Sequence, residues 1–459
     1  MLLENFLSLL EGWAPAFRQQ RTCARAIALA LGLLCGLGRR TLTRAICFNH
    51  RQHRDWGADY KLFNRSRWEP EALFDPIIHR AIGKYCSHQM VVAFDDTGLK
   101  RSGKKIKSAR WLRDPLSPPF HTNLIWGQRF LQASLLAPLY HFDGESSPRG
   151  LPIRFQEVTP VRKPGKNATP QQKAAYREAK KTHNLSKAFV EMLGELRHDL
   201  DSHGFADQEL IAVGDGSFCN QTTFRQARDR TILLTRGRKD LRLCLAHQGP
   251  GRRYYGTELF SPESVYQDST IPWKETKIFH SSKYRRVRYK EVGQVLWRRG
   301  GGRRLLRLFV VAPVPYRKTK AGQLNYREVA YLLCDDHHLS AKKLLQAYFD
   351  RWQIEINHRD EKNILGVGHA QVWAELSLPR VPALMVATYS LMLLSALETY
   401  GPTRTIAYEP LPKWRSAARR PSCQDLVTLL RKQIEAQSFG QGTPTNVVGY
   451  PSMVQTAAA

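Results

Sequence analysis

Apolar positions recur along this chain with two different periods, and the change of period marks its organisation. Over residues 1–88 they return every three or four residues, the helical spacing. LLENFLSLLEGW opens the chain, RTCARAIALALGLLCG and RRTLTRAICF follow across a glycine-containing turn, and WEPEALFDPIIHRAIGKY (68–85) reads as one more amphipathic helix. Pro70 sits near the start of that helix, where proline is tolerated. From residue 89 the pattern becomes one of β-branched runs alternating with helices. MVVAFD (90–95) and LIAVGD (210–215) read as buried strands that end in an acid. NLIWGQRFLQASLLA (123–137) is composed as one long or two short strands, and TILLTRGR (231–238) and VAYLLCDD (329–336) as further strands. Residues 145–185 are polar and basic and read as an exposed insertion leading into a helix at 186–200. From 242 to about 325 the chain is strand-like, glycine-rich and basic, without a strong helix. SAKKLLQAYFDRWQIEINHRDEKNIL (340–365) then predicts one long helix with Ser340 as its N-cap.

Two apolar stretches raise the question of a membrane. AIALALGLLCGLG (26–38) resembles a signal-peptide core, but it starts deep in the sequence and no small-residue cleavage site follows it, so it reads as a buried helix. VPALMVATYSLMLLSAL (381–397) is 17 residues long, short of the ~20 needed to span a bilayer, and reads as a core helix. The eight cysteines include no pair at C-x2-C spacing, which argues against a zinc ribbon. Their scatter suits reduced thiols in a cytoplasmic protein. His337 and His338 are adjacent but lack a third partner at ligand spacing, and they read as surface residues.

Charge changes the picture more than composition does. Lys and Arg number 70 against 40 for Asp and Glu, for a net charge of +30. The surplus runs the length of the chain, as an extended groove for a polyanion requires. Nucleic acid is the expected partner. Lys100, Arg101, Lys104, Lys105 and Lys107 form a basic loop after the first acidic strand end, and the arm at 281–304 carries Arg285, Arg286, Arg288, Arg298 and Arg299. Arg39, Arg40 and Arg44 sit at the junction of two short N-terminal helices, which read equally as a helix-turn-helix or as an all-helical packing domain with solvated arginines. Trp273, Tyr284, Tyr289 and Trp297 interleave with the basic arm as core residues or as a base-stacking surface.

The candidate chemistry lies in YFDRWQIEINHRDEK. Tyr348, Arg351, Glu355 and Lys362 are spaced Y-x2-R-x3-E-x6-K, and on a helix those offsets return to nearly one face. One acid is thereby held among a phenol, a guanidinium and an ammonium. Asp95 and Asp215 stand at strand ends, where α/β sites gather. Three such carboxylates suit divalent metal ions that act on phosphodiesters. Strand alternation sends Asp95 and Asp96 to opposite sides. Glu361 lies about 120° around the helix from Glu355, off the shared face.

DDTGLKRSGKK at 95–105, GDGSFCN at 214–220 and the Y-R-E-K segment resemble the DDE transposases of bacterial insertion sequences, in the IS-four-type group. The resemblance covers about 89–370 and implies an α/β fold: an RNase H-like mixed sheet flanked by helices, with an N-terminal helical domain and a β-rich insertion. With the periodicity of the flanking regions it divides the chain into a helical region read as DNA-binding (1–88), a first part of the catalytic core (89–241), a basic β insertion (242–325), a second part with the Glu helix (326–400), and a tail (401–459), rich in Pro and Gly, that reads as a dimer or DNA contact and whose last residues read as disordered. It selects Asp95 over Asp96 through the D-x-T element, and implies that Asp95, Asp215 and Glu355 are catalytic and hold two Mg²⁺ (or Mn²⁺) ions. Tyr348, Arg351, Lys362 and the basic loop and arm would hold double-stranded DNA, both transposon end and target. The implied activity is cut-and-paste transposition by a homodimer at the nucleoid. A nuclease that lacks strand transfer, or a repurposed non-catalytic DNA-binding protein, are the alternatives.

Overall fold

In a computed structural model of the chain, every residue is described except 87, 115–116, 119, 139–146, 227, 250–251, 281–282, 318–321, 415–418 and 441–459. The end of the tail, expected to be disordered, therefore lies outside the described residues. Five helices come first: α1 (Leu2–Glu11), α2 (Gln20–Cys35), α3 (Leu42–Phe48), α4 (Trp56–Asn64) and α5 (Asp75–Tyr85). The single helix expected at 68–85 is a short 3-10 turn, Pro70–Leu73, followed by α5, because the second proline, Pro76, restarts the helix in its own first turn. Strands β1 (Gln89–Lys100), β2 (Arg110–Arg113), β3 (Leu124–Ala137) and β4 (Arg149–Glu157) follow, then α6 (Pro170–Thr182) and α7 (Leu185–Ser202). Next come β5 (Glu209–Gly214), α8 (Gln221–Arg225), β6 (Thr231–Gly237), β7 (Cys244–Leu245), α9 (Pro262–Gln267), β8 (Lys274–His280), β9 (Lys283–Leu296), β10 (Leu305–Val311), β11 (Pro315–Arg317), β12 (Leu324–Tyr326) and β13 (Ala330–Cys334). Four helices close the described chain: α10 (Ala341–Asp350), α11 (Trp352–Asn363), α12 (Ser377–Tyr400) and α13 (Cys423–Gly440).

The heart of the sheet runs β4-β3-β1-β5-β6. The pairs β4–β3 and β3–β1 are antiparallel, and β1–β5 and β5–β6 are parallel. This is the mixed sheet of an RNase H-like fold. β13 pairs antiparallel with β6 and leads on to β10, β9 and β8, so β7–β10 of the 242–325 region extend the same sheet, while β11 and β12 form a two-stranded sheet of their own.

β4 departs from expectation. Residues 149–157 belong to a core strand, not to an exposed insertion: 150–155 are buried. Pro152 and Arg154 interrupt its apolar run. Proline is tolerated here because, among the described strands, β4 pairs with β3 alone, and Pro152 sits at the irregularity opposite Ser134. Arg154 is buried against Asp199 and Asp75. The polar remainder is α6, which buries no residue.

Alternation divides the central strands between two layers. Leu210 and Ala212 of β5, with Val92 and Phe94 of β1, join the main core with Phe189 of α7. Ile211 and Val213 pack with Leu344, Leu345, Ala347 and Phe349 of α10. Ala93 packs with Ile354 of α11. The odd-numbered residues of both strands thus face the helices that carry the Y-R-E-K segment.

α12 is long and apolar enough to cross a membrane by length and composition, longer than the 17-residue run suggested, but 94% of its apolar window is buried in the fold. α1–α5 and α13 pack round it in the main core. Arg380 fixes this layer: it donates to the carbonyls of Phe63 (3.2 Å), Ser66 (2.9 Å) and Trp68 (2.7 Å) and lies over the Trp68 ring. α13, expected as part of a tail, is a core helix through Leu426, Val427, Leu430 and Ile434.

Candidate active site

The sheet register brings the first two acids together. β1 and β5 pair in parallel up to Phe94 and Gly214. Asp95 and Asp215 come one step further in the same register, and neighbouring strands lie ~4.8 Å apart. Asp215 follows the last residue of β5, but Asp95 does not end its strand as expected, because β1 runs on beside β3 to Lys100. By alternation both continue the odd-numbered rows that face α10 and α11. Asp215 also closes the turn after β5: its Oδ1 accepts from the Ser217 N–H (2.9 Å). A capping role and a place in the site coexist.

Glu355 arrives by helix packing. The long helix expected at 340–365 is two helices, α10 and α11, that meet at Arg351. Arg351 keeps helical dihedrals (φ −48°, ψ −27°), so the helical path runs through the junction and the Y-R-E-K residues keep their shared side. Ser340 caps α10 as expected, its hydroxyl accepting from Lys343 N–H. α11 is anchored by Ile354 in the core, by Asn357 donating to the Gly150 carbonyl of β4 (3.0 Å) and to Tyr389 (3.2 Å), and by Tyr389 donating to Asp360 (3.2 Å). Gly150 is required for this approach, since a Cβ there would lie 2.8 Å from Asn357 Oδ1.

Arg351 joins the three acids. Its Nη1 lies 3.8 Å from Asp95 and 3.6 Å from Glu355. It also lines a cleft of about 360 Å³ with Asp215, Tyr348, Arg236 and Arg238. Burial raises the Asp95 carboxyl well above its usual range; Glu355, Asp215 and Asp96 push it the same way, and Arg351 opposes them. Burial lowers Lys362, against the pull of Glu361, Asp95, Glu355 and Asp96. Lys362 therefore sits within the field of the same acids. A divalent cation fits this donor set, because it would relieve the carboxylate repulsion on Asp95.

Asp96 leaves the pair. Its Oδ2 meets Arg129 at 3.1 Å, and its N–H donates to Asp95 Oδ1 (2.9 Å), which orients that carboxylate. Glu361 is buried, and burial raises it to about 8. It is a neutral interior acid beside Gln132.

Of the basic loop, Lys100, Lys104, Lys105 and Lys107 are exposed, and Lys107 pairs with Glu375 (2.8 Å). Arg101 departs from the expected surface contact. It is 5% exposed and donates to Gln128 and to the carbonyls of Gly368 and Ala370. Arg286, Arg288, Arg298 and Arg299 are exposed, and Arg285 is half-buried and donates to Pro315 O. Tyr289 and Trp297 are core residues; Trp273 lies under Arg288 and Lys290, and Tyr284 is exposed. At the N-terminal junction Arg40 is buried while Arg39 and Arg44 are exposed.

Sequence reasoning missed Arg129, Arg236, Arg238 and His358. Arg236 and Arg238 end a strand adjacent to β5, a position that strand-end logic reaches. His358 sits three residues after Glu355, on the same face of α11. One of its ring nitrogens, an Asp95 oxygen and a Glu355 oxygen all lie within 4.8 Å of one another. Burial, with Lys362 and Arg351 adding, lowers His358 to about 3, so its ring is neutral.

Residues 14–304, more than half of the chain, match the family described as DDE superfamily endonuclease. The match holds Asp95 and Asp215 and ends before Glu355. No curated protein matches the chain.

Proposed function

The chain belongs to the DDE superfamily of endonucleases, and we propose that within it this protein is a cut-and-paste DNA transposase of the insertion-sequence type. The observation that carries the reading is Arg351, which lies against Asp95 and Glu355 and lines the cleft that Asp215 opens into. Two acids from neighbouring strands and one from a helix gather about one basic residue, which lies beside Asp95 and Glu355 and shares the cleft wall with Asp215.

Divalent-metal-dependent cleavage of DNA is the superfamily's chemistry. Asp95, Asp215 and Glu355 would hold two Mg²⁺ or Mn²⁺ ions, which when bound supply a clamp on the attacking and leaving oxygens of a phosphodiester. The chain's own side chains do the rest. Arg351 offers a planar fork to a phosphate next to the cut, and Lys362 a point charge. Tyr348, half-buried on the cleft wall, holds the strand by its hydroxyl. Arg236 and Arg238 widen the basic rim. Asp96 keeps Asp95 in place. Lys100, Lys104, Lys105 and the exposed arginines of β9 and its following turn track the backbone farther out. In this reading residues 1–88 contribute to DNA binding, the strands of 242–325 form a DNA-facing insertion, two copies pair two transposon ends, and the enzyme works at the nucleoid.

The test is a fragment bearing the inverted repeats that flank the reading frame, incubated with the protein, Mg²⁺ and a target plasmid. Cleavage at the ends and a joined donor–target product are expected. Asp215→Ala should abolish cleavage and keep DNA binding by gel shift. Cleavage that survives in Asp215→Ala defeats the site, and cleavage that never yields joined product defeats the transposase assignment.

A further inference from the structure

The face of α11 that meets the sheet is unusual in what it buries: Asn357, His358, Asp360 and Glu361, with Ile354 the one apolar side chain buried among them. The Asn357 amide donates to β4 and Asp360 accepts from α12, while Asn357 Oδ1 and Glu361 Oε1 lack partners among the described residues. His358 is 7% exposed, and its Nε2 is likewise buried without a hydrogen-bond partner among the described residues. A buried ring nitrogen without a partner is costly and calls for an explanation. The explanation lies in its neighbours, since a His358 nitrogen falls within 4.8 Å of oxygens of both Asp95 and Glu355. The other occupant of this space is Arg351, whose Nη1 stands too far from either carboxylate for a hydrogen bond and is itself without one. Two carboxylates, an imidazole and a loosely held cation make a built site.

We propose that His358 is a protein ligand to the metal ion held between Asp95 and Glu355, and that its nitrogen makes this position selective for Mn²⁺ over Mg²⁺. The inference rests on the reading above that Asp95 and Glu355 bind metal, and adds to it a residue and a preference. Mg²⁺ takes oxygen ligands in a strict octahedron. Imidazole suits the transition ions, among which Mn²⁺ also accepts carboxylate and water. Asp95, Asp215 and Glu355 alone would form an all-oxygen site with no reason to prefer Mn²⁺. Spacing supports the assignment: Glu355 and His358 stand at i and i+3 on one helix, a separation that lets two side chains reach one ion.

The experiment uses the full-length protein and Mn²⁺ as the probe. Binding is measured by loss of the free-ion EPR signal, and the bound ion is examined by pulsed EPR in protein grown with ¹⁴N- or ¹⁵N-histidine. The expected result is imidazole nitrogen coupling in the wild type that changes with the isotope and disappears in His358→Gln. The Mn²⁺ dissociation constant should rise in that variant by at least the ~10-fold that even outer-sphere partners of a metal site are worth, with calorimetry showing a smaller change for Mg²⁺. The isotope comparison needs no substitution and shows whether a histidine binds the ion; if His358→Gln folds poorly, loss of that coupling in Asp95→Asn assigns it to this site, where His358 is the histidine beside Asp95 and Glu355 among the described residues. Mn²⁺ binding that is lost in Asp95→Asn yet shows no nitrogen coupling overturns the role of His358 and leaves the carboxylate site standing. Mn²⁺ that fails to bind the wild type, or binds Asp95→Asn equally, overturns both.

Discussion

Glu361→Gln is the substitution that most sharply separates an interior acid from a catalytic one. Glu361 is 2% exposed, and burial raises its carboxyl from an ordinary 4.5 to about 8, with Asp360 adding and Lys362 opposing. Each pH unit of that displacement is worth about 1.4 kcal/mol. Ionising Glu361 inside the fold, about 3.5 units above its ordinary value, therefore costs about 5 kcal/mol. The folded value lies above the unfolded one, so the stability this group contributes is whole below about pH 4.5 and is lost as pH rises through about 8. Gln cannot ionise. The stability advantage of Glu361→Gln should therefore grow by about 1.4 kcal/mol per pH unit across that window and level off above it. Urea midpoints of metal-free wild type and variant, compared from about pH 5 to about pH 9, measure the difference. Mg²⁺-dependent cleavage should survive in the variant. A difference that stays flat with pH would mean that Glu361 is ionised in the fold, and loss of cleavage with intact folding would place it among the metal ligands; either refutes the reasoning.

Arg351→Leu should lower cleavage by about 100-fold or more, the loss expected when a positioned electrostatic donor is removed, and Arg351→Lys should not restore it, since a point charge cannot span Asp95, Glu355 and a phosphate; single-turnover cleavage reads both. Arg380→Met strands three carbonyls in the core and should cost about 3 kcal/mol by urea denaturation, with a loss under about 1 kcal/mol refuting the anchoring role. Arg286→Gln with Arg288→Gln should weaken binding to unrelated DNA sequences alike and reduce the slope of log affinity against log salt by about 2; an unchanged slope would remove β9 from the DNA path.

Much of the candidate site was legible because its signals are local. Continuous apolar, β-branched runs followed by an acid located Asp95 and Asp215, and helical offsets of three, seven and fourteen aligned Tyr348, Arg351, Glu355 and Lys362. Each needs only neighbours in the chain. What failed were inferences about environment. Arg101 looked like one more loop cation, yet the carbonyls of Gly368 and Ala370, more than 260 residues away, hold it inside. β4 hid behind Pro152 and Arg154, whose burial depends on an edge position and on Asp199, neither of which β4's own residues encode. His358 drew no notice in the sequence, since only the packing of α11 beside β1 brings it near Asp95.

The amino-acid order by itself determined most of the strands and helices and which acids follow their apolar runs, because backbone sterics and side-chain periodicity act over a few residues. Only tertiary structure decided that β1 and β5 run side by side and in register, that α11 crosses their ends, and that Arg351 stands among the acids. Those outcomes depend on hydrogen-bonded pairing and burial between segments more than a hundred residues apart, and no local pattern carries that information.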